Sequence, residues 1–214
     1  MKRIVPERLM QGMILSVKGT KFFPSRMIQW MLDIQRRRDN RRGVSDLPKA
    51  DRNHDAIVIY RKYPFWQGSV QMHPGWYVGD AEPPKAVLTP IEDYNADISK
   101  GKIDVRVGWP KDAEKEEGEK AAQRWVDMIH NTRYDFKAYP RMILKCLFGD
   151  WIKKAAGALW AWFCTESVRG AWRPWRDPWG KNTPTPFTTQ KRFESGDIED
   201  VTEQVCSSKE CATH

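Results

Sequence analysis

The chain is poor in cysteine and histidine and has no long apolar run. Its 214 residues hold four cysteines and four histidines. Cys146, Cys164, Cys206 and Cys211 are too few to staple a chain of this length. Their spacing fits no zinc pattern, so no metal site and no cofactor are expected. They read as thiols in a reducing compartment. The first ten residues carry Lys2, Arg3, Glu7 and Arg8 and no apolar core, which excludes a secretory signal at this point of the chain. The longest apolar run, 155–164, is too short to span a bilayer, so no integral membrane segment is expected. These absences predict a cytoplasmic protein.

What is present is charge and tryptophan. The formal net charge is +8 and there are eleven tryptophans, several of them within 160–179. Arg36, Arg37, Arg38, Arg41 and Arg42 form a basic run that suits an anionic polymer; as a plain alternative it is a solvated surface. Arg169, Arg173 and Arg176 form a sparser set. The tryptophans, the charged loop and the lack of an export signal suit a phage or mobile-element product, placed in the host cytoplasm or the virion.

The length predicts a single domain over 1–201, with a loop insert near 36–53, a Trp/Pro/Arg loop near 172–180 and a flexible tail over 202–214. Met13 to Val17 reads as a buried strand. Met27, Trp30, Met31 and Ile34 give a helix one apolar face, ending near Asp39 and Asn40. His54 to Tyr60 is the clearest strand, continuously apolar from Ala56 to Ile59. Strands are expected at 67–72, 75–80, 86–90 and 103–107. A helix with Ala121, Trp125, Met128 and Ile129 on its inner face follows, then another over 138–148. The pattern is a meander, which predicts an α+β fold: an antiparallel sheet or partial barrel packed by helices.

Cys164 follows an aromatic run and opens a segment, Thr165 to Trp172, with Val168, Ala171 and Trp172 on one face. A helix starting here would put the thiol at its positive end, where N–H groups and dipole favour a thiolate. The alternative is a small core residue. A nucleophilic cysteine needs an imidazole and a group to orient it. Among the histidines, His54 stands at the start of the most buried strand. His73 lies in a Pro/Gly turn, His130 at a helix end and His214 at the terminus. Asp80 and Glu82, two apart on a strand and so on one side, are both candidates for the orienting carboxylate.

These residues carry a resemblance. Gly12 to Leu15 with Pro24 to Trp30, Asn53 to Val58, Asp80-Ala81 with Val87 to Ile91, and Tyr134 to Phe136 with Phe163 to Val168 are similar, in order and spacing, to the circularly permuted NlpC-type papain-like cysteine hydrolases (YiiX-like proteins). Thr185-Pro186 to Val201 resembles that family's closing segment, so the likeness covers about 12–201. It departs from the pattern at Met13, where the family has an acid, at Asn53, where it has serine or tyrosine, and at Asp80, where it has glutamate. The resemblance implies a permuted papain-like fold and a cysteine amidase, peptidase or acyltransferase. Cys164 would be the nucleophile, His54 the base, and Asp80 or Glu82 the orienting group. The implied substrates are cell-wall peptides, other amides or lipid-linked acyl groups. Two other readings stand beside it: a non-catalytic binding or assembly protein with the same fold, and nucleic-acid binding through 36–42 and 172–179.

Overall fold

The computed structural model describes residues 2–19, 33, 34, 37, 41, 52–82, 85–130, 133, 134, 161, 162, 164–180, 184 and 186–208. The elements are β1 (Lys2–Ile4), a 3-10 turn (Pro6–Arg8), β2 (Ile14–Gly19), β3 (His54–Arg61), β4 (Phe65–Gln67), β5 (Val70–Met72), β6 (Gly75–Glu82) and β7 (Lys85–Pro90). Then come α1 (Ile91–Ser99), β8 (Ile103–Pro110), α2 (Lys115–Met128), β9 (Arg133–Tyr134), β10 (Ala161–Trp162) and α3 (Cys164–Trp172). The described chain closes with α4 (Pro186–Glu194), β11 (Ile198–Asp200), α5 (Thr202–Val205) and β12 (Cys206–Ser208).

The main sheet runs β10-β9-β7-β6-β3-β2-β8-β11. From β7 to β11 all neighbours are antiparallel. The order has two ends, so the sheet is not a closed barrel. The class is α+β, as the meander predicts. β3 lies inside the sheet, and Ala56 to Ile59 are all buried, which is why the run has no polar alternation.

Helices cover both faces. A Cβ on Gly79 would come within 3.0 Å of Ile59, Ile57 and Trp125, so Ile57, Ile59 and α2 share one face. α3 packs there too, with the Trp125 indole donating to Ser167 Oγ at 3.3 Å. Gly12, at φ +88, allows the loop before β2 to touch the α2 backbone at Gly118; a side chain there would overlap it. The Trp172 indole donates to Gly12 O at 3.0 Å and pins α3 to the same loop. Across the sheet, α1 buries Ile91, Tyr94 and Ile98.

Several expectations need correction. The strand expected over 67–72 is the second half of a hairpin, β4 and β5, turning at Gly68 with φ +66. Met128 is exposed rather than inward, because α2 ends there and its face is carried by Gly118, Ala121, Ala122 and Trp125. Arg41 is helical, in keeping with an end near Asp39 and Asn40, and its Nε donates to Arg37 O. Residues 202–208 are not a tail: α5 leads into β12, which pairs with β1. That strand has no periodic signal of its own and is held by a partner two hundred residues earlier. Residues 209–214 and the helix expected over 138–148 lie outside the described residues, as do Cys146, Cys211 and His214.

Two of the three tryptophans of the Arg/Trp loop are structural, and Trp175 is half-buried. Trp172 and Trp179 are fully buried, and Trp172 meets Trp109 edge-to-face at 5.6 Å. Arg169 grips Asp177 at 2.7–3.1 Å and reaches Gly180 O, folding the loop back on α3. Neither buried ring is available to stack on a base, which leaves Trp175 as the loop's one partly exposed indole and weakens the case for nucleic-acid binding there. Arg37 and Arg41 are exposed; Arg36, Arg38 and Arg42 lie outside the described residues.

Candidate active site

The backbone pairing of β3 with β6 runs from Arg61 opposite Gly75 to Ile57 opposite Gly79. Past that point the two strands are joined by side chains. His54 Nε2 and Asp80 Oδ1 are 2.9 Å apart. Tyr94 Oη, from the buried face of α1, donates to the same Asp80 oxygen at 2.7 Å. Asp80 is 3% exposed, so its buried oxygen is satisfied by these side chains rather than by solvent. With the carboxylate as acceptor, the neutral imidazole carries its proton on Nε2. The lone pair is then on Nδ1, the nitrogen able to take a proton from a nucleophile.

Asn53, the residue before His54, is bonded to the end of β2. Its amide oxygen accepts from Gly19 N at 3.0 Å and its amide nitrogen donates to Gly19 O at 3.1 Å. This two-way clasp ties the entry of β3 to the end of β2. A small cavity of about 170 Å³ opens here, bordered by Asn53, His54, Asp80, Thr89, Asp93 and Tyr94 among others.

Cys164 is the first residue of α3 and is 3% exposed. The helix forms as expected, with Val168, Ala171 and Trp172 on its buried face. Cys164 is not among the described residues lining the His54 cavity. Its sulfur lies 3.9 Å from Thr165 Oγ1. Thr165 Oγ1 in turn donates to Asp55 Oδ2 at 2.6 Å, and Thr189 Oγ1 from α4 donates to the same oxygen at 2.7 Å. Burial pushes the Asp55 carboxyl up, against the hydrogen bonds from Thr165 and Thr189, a neighbouring hydroxyl on Ser16 and the charge of His54. Ser16 faces Asp55 across the β2–β3 ladder but falls short of a well-formed hydrogen bond.

The sequence expectations fare differently. His54 and Asp80 are brought together. Glu82 ends β6, and its side chain lies outside the described residues. The described contacts do not bring Cys164 to His54: successive residues of a strand project to opposite faces, so α3 meets Asp55 while α1 meets the His54–Asp80 pair. His73 is exposed, and His130 Nε2 is 3.1 Å from Gln67 Oε1, away from Asp80. Sequence reasoning missed Tyr94, Asp55, Thr165 and Thr189. Tyr94 had a signal, the helical spacing of Ile91, Tyr94 and Ile98. Asp55 had one too, as a carboxylate inside an apolar strand. Among the described residues no group of acidic, histidine or cysteine side chains is arranged to hold a metal ion. No helix among them is long and apolar enough to cross a membrane.

No protein-family model matches the chain, and no curated protein matches it.

Proposed function

We propose that the protein is a cysteine hydrolase or acyltransferase acting on an amide or ester bond, with Cys164 as nucleophile, His54 as base and Asp80 as the orienting carboxylate. The observation that carries this reading is the His54 Nε2–Asp80 Oδ1 contact at 2.9 Å, completed by Tyr94. Such a pair fixes the tautomer and orientation that a general base needs. The position of Cys164 at a helix start supports its part. The order of histidine strand, carboxylate strand and late cysteine helix supports a permuted papain-like, NlpC-type fold. Glu82 is the alternative carboxylate; the hydrogen bond favours Asp80.

The reaction follows from these roles. The step requires the Cys164 thiol to come within hydrogen-bond reach of His54 Nδ1, which takes its proton as the sulfur attacks the carbonyl carbon. The oxyanion is met by the Cys164 backbone N–H at the helix start. His54 returns the proton to the leaving nitrogen or oxygen, leaving a thioester on Cys164. Water, or an acceptor alcohol or amine, then attacks the thioester with His54 again as base. Cell-wall peptides and lipid-linked acyl groups are both substrates of this chemistry.

The test is iodoacetamide labelling near neutral pH, with the modified cysteine identified by peptide mass spectrometry. Cys164 should label, and His54→Ala should slow it about tenfold or more. Equal rates in both proteins would remove His54 as its base. A second reading, a binding or assembly module with the same fold, is favoured by the burial of Cys164 and its absence from the described lining of the His54 cavity. It predicts no labelling of Cys164 in the folded protein.

A further inference from the structure

The end of the sheet away from His54 carries a different kind of surface. Tyr60 is 43% exposed, Tyr63 67%, Trp66 64% and Val70 59%, four of the five large apolar side chains that stand out among the described residues. They fall within eleven consecutive positions, at the end of β3 and on the β4–β5 hairpin. The hairpin is held firmly from beneath. Gln67 uses its side chain as a strand would, accepting from Leu88 N at 2.7 Å and donating to Leu88 O at 3.2 Å. Phe65 packs edge-on against Tyr77 at 5.3 Å and His130 at 5.9 Å. Alternation along β4 therefore turns Phe65 and Gln67 inward and leaves Trp66 outward. Tyr60 is braced by Trp76, its cross-strand neighbour, at 5.0 Å.

The charge of this segment is of one sign. The chain has no aspartate or glutamate between Asp55 and Asp80, and it places Arg61 and Lys62 there. Lys62 Nζ lies 5.5 Å from the Tyr63 ring and the Arg61 guanidinium 5.1 Å from the Phe65 ring. Arg61 and Lys85 also act on His130, whose pKa is lowered by burial first and by these two cations after it. Glu92, beside Tyr77, is a carboxylate set toward this region from α1.

We propose that this surface, Tyr60, Tyr63 and Trp66 with Lys62, docks on an anionic lipid surface. Tyrosine and tryptophan each have an apolar body and a polar tip, which suits the headgroup layer. Lysine lies along apolar surface while its ammonium reaches lipid phosphates. The Tyr60 ring is already braced by Trp76, so little of its freedom is lost on contact. A single-stranded nucleic acid would need a basic groove along its phosphates; the exposed cation in this segment is Lys62. Tyr60 is six residues along β3 from His54, about 20 Å away. Docking is therefore separable from the proposed chemistry at Cys164 and does not depend on it.

The experiment is co-sedimentation of the full chain with vesicles of phosphatidylcholine alone or containing about 25% phosphatidylglycerol. Wild type should pellet with the anionic vesicles and much less with the neutral ones. Trp66→Ser combined with Tyr63→Ser should lower the bound fraction about fivefold or more, and Lys62→Glu should remove the preference for anionic lipid. All three side chains are exposed, so thermal unfolding should be unchanged and reports that the variants fold. Absence of pelleting with either vesicle, or equal pelleting of wild type and the double variant, overturns the proposal. So does retention on a single-stranded oligonucleotide that blocks vesicle binding, or self-association lost in Trp66→Ser, since each assigns the surface to another occupant.

Discussion

Thr165 Oγ1 donates to Asp55 Oδ2 at 2.6 Å, joining the residue after Cys164 to the residue after His54. One buried carboxylate thereby ties the helix that carries the cysteine to the strand that carries the histidine. Thr189 brings α4 to the same oxygen, and the Trp179 indole donates to Thr189 at 2.9 Å. The fold around the proposed nucleophile is thus organised on Asp55, whereas the orientation of His54 is organised on Asp80.

Asp55 should leave a mark on stability against pH. Its carboxyl is raised from the ordinary value of 3.8 by burial. A group raised in the fold contributes stability that is fully present below its unfolded pKa and is lost as pH rises through its folded pKa. Wild type should therefore lose this contribution from about pH 4 upward. Asp55→Asn keeps an oxygen to accept from Thr165 and Thr189 and has no proton to lose. Urea unfolding at several pH values should show its stability relative to wild type increasing from pH 4 to neutrality. A difference that stays flat would mean that burial does not raise Asp55.

Much of this arrangement was legible and part of it was not, for separate reasons. β3 was plain because a strand buried on both faces must be continuously apolar, and Ala56 to Ile59 are. The cysteine helix was plain because Val168, Ala171 and Trp172 fall on one face. The Asp55 node was hidden because its donors are 110 and 134 residues away, and hydroxyls that far off leave no local pattern. β12 was hidden likewise, being a short polar strand made only by pairing with β1. The β4–β5 hairpin was missed for a local reason: its turn is one Gly68–Ser69 step inside what reads as a single strand. α1 was missed although Ile91, Tyr94 and Ile98 carry its spacing, and with it went the second donor to Asp80.

The His54–Asp80–Tyr94 chain predicts a tautomer. With Nε2–H donated to Asp80, the neutral ring should be protonated at Nε2 and bare at Nδ1. Long-range nitrogen–proton NMR of labelled protein distinguishes the two nitrogens directly. Asp80→Ala should lose this preference, and Tyr94→Phe should keep it while costing about 0.5–1.5 kcal/mol of stability for one hydrogen bond. A neutral ring protonated at Nδ1 in wild type would contradict His54 as the proposed base.

His130 offers a test of the electrostatics under the exposed hairpin. Its pKa is lowered from 6.5 by burial, then by Arg61 and Lys85. A histidine lowered in the fold is kept neutral there, so its contribution to stability is present above about pH 6.5 and is lost as pH falls through the folded value. Arg61→Gln and Lys85→Gln each remove one repelling cation, and each should move the His130 titration, followed by its ring proton resonances, back toward the ordinary value. The double variant should move it further and still leave it short, because burial is the largest cause. Titration that ignores both substitutions would mean that the cations do not act on this ring, and the positive potential beneath Trp66 and Tyr63 would lose its support.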